Sequence, residues 1–103
     1  MTGISTHVLD TSTGCPAAGV AVVLLHNEVV VVTGRTDDDG RWTARDGSVD
    51  EGAYALVFTT GEHFGGRSFH PQVRVDFTVA DGTEHHHVPL LVSPYGYTTY
   101  RGS

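Results

Sequence analysis

The sequence has no lysine, only one cysteine and no apolar run long enough to span a bilayer. The single cysteine, Cys15, excludes an intrachain disulfide and suits a reducing compartment without requiring one. All six cationic residues are arginines, and twelve acidic residues outnumber them, which gives a formal net charge of −6. Nucleic acids and anionic membranes need a basic patch, so neither is expected as a partner.

The start of the chain also lacks a targeting signal. The segment "MTGISTHVLD" has no basic stretch followed by an apolar run, so we expect no signal peptide and a cytoplasmic protein. The sequence contains no linker, internal repeat or low-complexity segment. Its 103 residues therefore fit a single domain that spans 1–103.

Short runs of β-branched residues dominate the sequence instead. The runs "GVAVVLLHN" and "VVVVTGRT" are rich in valine and meet near Asn27-Glu28. In "VRVDFTVA" apolar and polar residues alternate from Val73 to Val79, which is typical of a strand with one buried face. We count seven or eight short strands, which predict an all-β antiparallel sandwich or barrel. The only candidate helix is a brief one at 61–66, where two glycines weaken it.

Turn signals separate these strands. Asp81-Gly82 predicts a hairpin that leads from "VRVDFTVA" into "EHHHVPLLVS". The stretch "TDDDGR" predicts a turn in which Gly40 takes a positive φ, followed by "RWTAR" as a short edge strand. The segment "YGYTTYR" is expected to form the last strand.

Seven histidines are many for a chain of this length. On the strand predicted at "EHHHVPLLVS", His85 and His87 project from one face and His86 from the other. A His-x-His pair on a strand is a common way to hold zinc, and His7 is the candidate third ligand. The same pattern also fits a polar stretch that merely follows a turn. We expect the remaining histidines to be structural or surface residues: His26, His63, His70 and His86.

Two further residues are candidates for chemistry. His7 lies within the strand "STHVLD", where alternation places Ser5, His7 and Leu9 on one face. Arg41 follows the "DDDG" turn, and it is expected either to pair with a nearby aspartate in solvent or to clamp a carbonyl or anionic ring. A nucleophile elbow, a phosphate loop and a Cys-x-x-Cys motif are all absent. The residues alone therefore indicate a histidine-rich β-sandwich and leave a hydrolase open.

Three segments together resemble the transthyretin-related proteins: "STHVLDTSTGCPAAGVAVVL", "TDDDGRW" and "HHHVPLLVSPYGYTTYRGS". The resemblance covers essentially the whole chain. The final Tyr100-Arg101-Gly102-Ser103 is similar to the tetrapeptide that marks the enzyme branch of the family, the 5-hydroxyisourate hydrolases. Transthyretin, the hormone carrier, shares several segments but lacks this ending.

The resemblance implies an eight-stranded sandwich with one short helix, assembled as a homotetramer with active sites in channels between dimers. It assigns catalytic roles to His7, Arg41, His87 and Ser103, and implies no metal and no cofactor. The substrate-binding residues that it implies are the same four together with Tyr100, Arg101 and Gly102. His86 stands where the family has a tyrosine, but it lies on the opposite face of the strand from His87.

The implied reaction is the hydrolysis of 5-hydroxyisourate to 2-oxo-4-hydroxy-4-carboxy-5-ureidoimidazoline, on the route from urate to allantoin. His7 and His87 would handle the water and the proton, with either one as the base, while Arg41 orients the ring and stabilises charge. Ser103 is expected to position water or substrate rather than to act as a nucleophile, and Tyr100 to form a wall of the site. Two alternatives stay open: a carrier of small molecules with this fold, and a zinc-dependent hydrolase that uses His7, His85 and His87.

Overall fold

The computed structural model describes residues 2–103, and it contains two β-sheets and one short helix. The elements follow in chain order: β1 (Gly3–Asp10), β2 (Cys15–Pro16), β3 (Ala21–His26), β4 (Val29–Arg35), β5 (Arg41–Asp46), β6 (Gly52–Phe58), α1 (Thr60–His63), β7 (Val73–Val79), β8 (His85–Val92) and β9 (Tyr97–Thr99). The predicted all-β class with one short helix is confirmed, with the two-residue β2 as an addition. No helix among the described residues is long and apolar enough to cross a membrane.

The two sheets are of similar size. The first runs in the order β2-β1-β8-β9, and β5 pairs with β1 as well; the second runs β4-β3-β6-β7. All pairs are antiparallel except β1 with β8, which run parallel from Gly3 opposite His85 to Asp10 opposite Val92. The predicted antiparallel sandwich is therefore correct apart from this one pair.

The β3–β4 hairpin forms where the sequence predicts it. His26 pairs with Val29, so that Asn27 and Glu28 alone make the turn. Both turn residues have a positive φ, 51° for Asn27 and 66° for Glu28, as a type I′ turn requires. This turn has the twist that joins two neighbouring antiparallel strands directly.

The hairpin predicted at Asp81-Gly82 is wrong. β7 pairs with β6 in the second sheet, whereas β8 pairs with β1 and β9 in the first, so this segment crosses between sheets. The Asp81 carboxylate accepts a hydrogen bond from the main-chain N–H of Thr83 at 2.9 Å, and the Gly82 carbonyl accepts one from Val49 at 3.0 Å. A Cβ on Gly82 would lie 1.7 Å from the Val49 carbonyl oxygen, so the glycine permits a close approach between two loops.

The predicted helix at 61–66 is shorter and starts one residue earlier. The helix α1 ends at His63, and both Gly65 and Gly66 have a positive φ that an α-helix cannot contain. Thr60 fixes the start, because its hydroxyl donates a hydrogen bond to the His70 carbonyl at 2.9 Å.

The core lies between the two sheets and follows the alternation of the strands. On β1, Ile4, Thr6 and Val8 are buried, while Ser5 and His7 are only half-buried. The largest apolar side chains that the two sheets bury completely come from five strands: Ile4, Val8, Val22, Leu24, Leu56, Phe58, Val73, Val79 and Leu90. This packing leaves one face of the first sheet for other groups.

Candidate active site

The candidate residues meet around β1, which is central in the first sheet. His7 lies opposite Arg41 of β5 and opposite Pro89 of β8. Ser5 lies opposite His87 of β8. Directly opposite residues of neighbouring strands point to the same side of a sheet. The topology thus brings His7, Arg41 and His87 to one face, the one turned away from the core.

A serine links the two outward-facing histidines of β8. The Ser5 hydroxyl lies 2.8 Å from Nε2 of His85 and 2.8 Å from Nδ1 of His87. The two imidazoles lie nearly parallel, with ring centroids 6.3 Å apart and an interplanar angle of 18°. Ser5 was not predicted from the sequence as a functional residue, although its place two residues before His7 on the same strand face was a usable signal.

The chain end is held against β8 by its backbone. The main-chain N–H of Gly102 donates a hydrogen bond to the His87 carbonyl at 2.8 Å. A Cβ at Gly102 would lie 2.6 Å from Cδ2 of His87 and 3.1 Å from Cγ of Pro89. Only glycine therefore lets the chain pass this close to the imidazole.

A cavity of about 340 Å³ opens at this point. This volume lies near the lower end of the range for small-molecule sites in proteins. Three of the residues assigned by resemblance, Arg41, His87 and Ser103, line it together with Ser5 and His85. Other lining residues come from β1, β5 and the chain start: Thr2, Thr6, Trp42, Thr43 and Asp46.

Tyr100 and Arg101 do not line this cavity. They line a second one of about 210 Å³, between β7 and the end of the chain, which also touches His87. The Arg101 guanidinium donates a hydrogen bond to the His85 carbonyl at 3.3 Å and lies 3.8 Å from the Glu84 carboxylate. Of the residues assigned by resemblance, this main cavity within one subunit gathers Arg41, His87 and Ser103, whereas His7, Tyr100, Arg101 and Gly102 do not line it.

The environment of His87 favours its neutral form. Burial lowers the pKa of the imidazole below its usual value, because a charged ring loses hydration there. Electrostatic repulsion from His85 and His7, whenever these rings are protonated, and from Arg41 acts in the same direction. A neutral imidazole is therefore present at neutral pH, with one nitrogen that donates and one that accepts.

Arg41 has a free guanidinium. Its main-chain N–H donates to the Asp37 carboxylate at 2.9 Å, but its side chain makes no ion pair or hydrogen bond with any residue from 2 to 103. The alternative of a solvated pair with an aspartate of the "DDDG" turn is therefore wrong. The side chain is available for a ligand in the cavity that it lines.

The comparisons with known proteins decide the family. A family model described as "Transthyretin: HIUase/Transthyretin family" matches residues 4–102. The chain belongs to this family. The 5-hydroxyisourate hydrolase of Salmonella dublin is 43% identical over 111 residues, which cover 97% of this chain and 80% of that protein.

Two solved structures of the HIUase/transthyretin family have the same fold. The structure of Klebsiella pneumoniae 5-hydroxyisourate hydrolase has a TM-score of 0.89 and 38% identity, covering 97% of this chain and 98% of that one. Transthyretin from Sparus aurata has a TM-score of 0.89 but 26% identity, over 99% of this chain and 97% of that one. The fold is common to both branches, and the identity is higher to the hydrolases. The resemblance found in the sequence is confirmed.

The other histidines of this family member have partners away from the main cavity. His26 stacks on Tyr54 with ring centroids 4.1 Å apart, and His63 pairs with Asp10 at 2.8 Å. His86 is buried, with Nδ1 3.0 Å from the Glu84 carbonyl oxygen. His70 packs edge-on against Phe69 and Tyr97. None of the four lines the cavity around Ser5.

The zinc alternative would need three ligands that converge. Within residues 2–103, no three His, Cys, Asp or Glu side chains are placed to hold a metal ion. His85 and His87 are instead both bound to the Ser5 hydroxyl. The geometry therefore does not support the ligand set that the spacing of His7, His85 and His87 indicated.

Proposed function

We propose that this protein hydrolyses 5-hydroxyisourate, with Arg41, His87 and Ser103 acting in the main cavity. The single observation that carries the proposal is the placement of the His87 imidazole and the unpaired Arg41 guanidinium in one cavity. The names of relatives at 43% identity agree with this activity, whereas the hormone-carrier branch is represented by a structure at 26% identity. The product would be 2-oxo-4-hydroxy-4-carboxy-5-ureidoimidazoline, on the route from urate to allantoin.

The reaction needs a base that activates water, a donor that stabilises the developing oxyanion and a proton source for the departing nitrogen. Water adds to a ring carbonyl carbon, the bond from that carbon to nitrogen breaks, and the nitrogen gains a proton. Histidine suits the transfer of the water's proton to the departing nitrogen, because its usual pKa of about 6.5 lies close to neutral pH. His7 and His87 are the histidines that we assign to this task.

Arg41 supplies the charge stabilisation. A planar guanidinium donates paired hydrogen bonds to carbonyl and anionic oxygens. We assign it to bind the ring edge and the oxyanion that forms when water adds, and its place in the lining of the cavity supports this role. Ser103, which lines the same cavity, would position water or substrate.

The assembly is part of the proposal. We propose that the chain forms a single domain of residues 1–103 that assembles as a homotetramer. The family resemblance, which implies active sites between dimers, supports this proposal. The separation of Tyr100 and Arg101 from the main cavity supports a site completed by a second subunit. The lone thiol of Cys15 is exposed and suits a reducing compartment, which supports a cytoplasmic location.

Ultraviolet kinetics on freshly generated 5-hydroxyisourate test the proposal. Wild-type protein should accelerate its decay, and Arg41→Ala should lose about 10²-fold in turnover, the scale of a removed oxyanion donor. Arg67→Ala is the matched control, since Arg67 is exposed and outside both cavities. Decay at the spontaneous rate with wild-type protein would refute the proposal, and substrate binding without turnover would point to a carrier.

A further inference from the structure

The hydroxyl of Ser5 lies between two imidazole nitrogens and has only one hydrogen to give. It is 2.8 Å from Nε2 of His85 and 2.8 Å from Nδ1 of His87. The oxygen could accept from both rings, but the Ser5 hydrogen would then have no partner among the described residues. The arrangement that uses the hydrogen has one bond that Ser5 donates and one that it accepts. The tautomers of His85 and His87 are then coupled. The ring that donates to Ser5 carries a hydrogen on the nitrogen facing it, and the ring that accepts from Ser5 does not.

The far nitrogen of His85 distinguishes the two arrangements. Nδ1 of His85 is buried and has no hydrogen-bond partner among the described residues. If Ser5 donated to His85, neutral His85 would carry its hydrogen on that buried Nδ1, as a donor with no acceptor. If His85 donates to Ser5, Nδ1 is a bare acceptor instead. For backbone groups, buried donors without a partner are rarer than under-satisfied acceptors, and the second arrangement follows the same preference.

We infer that Ser5 and His85 are positioning residues that hold His87 with its hydrogen on Nε2, through the chain His85 Nε2–H to Ser5 Oγ–H to His87 Nδ1. The inference rests on the proposed function and assigns separate catalytic roles to His87 and His7. His87 then presents an N–H to the substrate and cannot take a proton at Nε2. His7 is the base that removes the proton from water and returns it to the departing nitrogen.

Two further observations agree with this assignment. Nε2 of His87 makes no hydrogen bond within the described part of the chain, and it is not among the buried unpartnered atoms, so it is open to a ligand. Burial and the nearby charge of Arg41 lower the pKa of His87, which keeps its Nδ1 free to accept from Ser5. A neutral imidazole that donates a hydrogen bond to a developing oxyanion is an established catalytic device.

The first test reads the hydrogen directly and needs no activity. Nitrogen-15 shifts of the imidazoles in histidine-labelled, full-length protein report which nitrogen is protonated, and His87→Gln identifies the signals of His87. We expect the hydrogen on Nε2 in wild type and in Ser5→Thr, which keeps the hydroxyl, and a loss of this preference in Ser5→Ala. A hydrogen on Nδ1 of His87 in wild-type protein would overturn the inference.

The second test separates positioning from substrate contact. Ser5→Ala should lower kcat about tenfold, the scale of a lost supporting hydrogen bond, with little change in KM, and Ser5→Thr should restore kcat. Ser12→Ala is the matched control, because it removes a hydroxyl bonded to Asp10 in the turn after β1 and should leave kcat unchanged. A raised KM with unchanged kcat would place Ser5 on the substrate and contradict the inference. Wild-type protein without hydrolase activity would refute the proposed function, while the nitrogen shifts would still decide the tautomer.

Discussion

The backbone of Gly102 donates a 2.8 Å hydrogen bond to the carbonyl of His87, so the chain end and the candidate catalytic histidine are held as one unit. The α-carbon of the glycine faces the imidazole, where an added Cβ would lie only 2.6 Å from Cδ2 of His87. Such a distance forces the ring, the chain end or both to shift. The position of the His87 imidazole therefore depends on the backbone conformation of the chain end at Gly102.

Gly102→Ala should lower turnover far more than stability. The added methyl displaces the His87 ring from its contact with Ser5, whereas the core between the sheets is not touched. Kinetics on 5-hydroxyisourate and thermal melting of the same sample measure the two effects. Gly96→Ala is the matched control, since a Cβ there meets only Ser93 Oγ at 4.0 Å. Normal turnover in Gly102→Ala would show that the close approach of Gly102 to the His87 imidazole is not needed for catalysis.

His7→Ala and His87→Ala should each lower turnover by roughly 10²-fold or more, the scale of lost acid–base catalysis. Both side chains are half-buried on the outer face of the first sheet, so their removal should leave the fold intact. Circular dichroism and melting confirm the fold, and initial rates measure turnover.

His26→Ala serves as the control for this pair of variants. His26 stacks on Tyr54 away from the main cavity, so its loss should leave turnover close to that of wild type. An equal loss of turnover in His26→Ala and His87→Ala would mean that the division of the histidines into catalytic and structural residues is wrong.

Alternation along single strands was sufficient to predict much of the site. The period of two in "STHVLD" placed Ser5 and His7 on one face, and the structure buries their neighbours Ile4, Thr6 and Val8. The same rule separated His86, which is buried, from His87. These are local properties of a strand with one buried face, so they could be predicted without any knowledge of partners.

Pairing between distant strands could not be predicted in this way. The bond of Ser5 to His87 joins residues 82 positions apart and depends on the parallel register of β1 with β8. No local pattern encodes that register. The hairpin signal at Asp81-Gly82 failed for a related reason, because the turn chemistry is present but the next strand joins the other sheet.

The buried carboxylate of Asp10 should stabilise the fold and have no part in turnover. Burial acts to raise its pKa, but hydrogen bonds from Ser12 and His63, together with the charge of His63, more than offset this and hold the pKa below 3.8. Asp10→Asn should therefore lower the free energy of unfolding by about 1–3 kcal/mol at neutral pH, the cost of losing a partner in a buried, charge-assisted bond. Urea unfolding measures the change, and kcat should stay constant.

The pH dependence of this effect has a definite sign. A carboxylate whose pKa is depressed in the folded state contributes stability above the unfolded value and loses it as pH falls through the folded one. The difference between wild type and Asp10→Asn should thus shrink as the pH falls below 3.8. Asp81→Asn is the control, because Asp81 bonds only within an exposed turn and should change stability little. Equal stability of wild type and Asp10→Asn at neutral pH would contradict this account.

The pKa of His87 should lie below about 6.5 and should rise when Arg41 is removed. Burial is the main cause of the depression and persists in Arg41→Ala, whereas one of the neighbouring positive charges is lost. Proton titration of His87 by nuclear magnetic resonance should show a higher midpoint in Arg41→Ala that is still below that of a free histidine. Arg67→Ala, in which an exposed arginine outside both cavities is removed, should leave the midpoint unchanged.

Because the pKa of His87 is depressed, both the stability of the fold and the turnover should fall as the pH is lowered. A histidine that folding keeps neutral contributes its full stability above the unfolded pKa of about 6.5 and loses it as pH falls towards the lower folded value. Protonation also places a hydrogen on Nδ1 of His87, which removes the acceptor that Ser5 requires. Turnover should therefore decline through the folded pKa, and Arg41→Ala should move this decline in its residual activity to higher pH. A midpoint for His87 that falls when Arg41 is removed would show that the charge of Arg41 does not act on this ring.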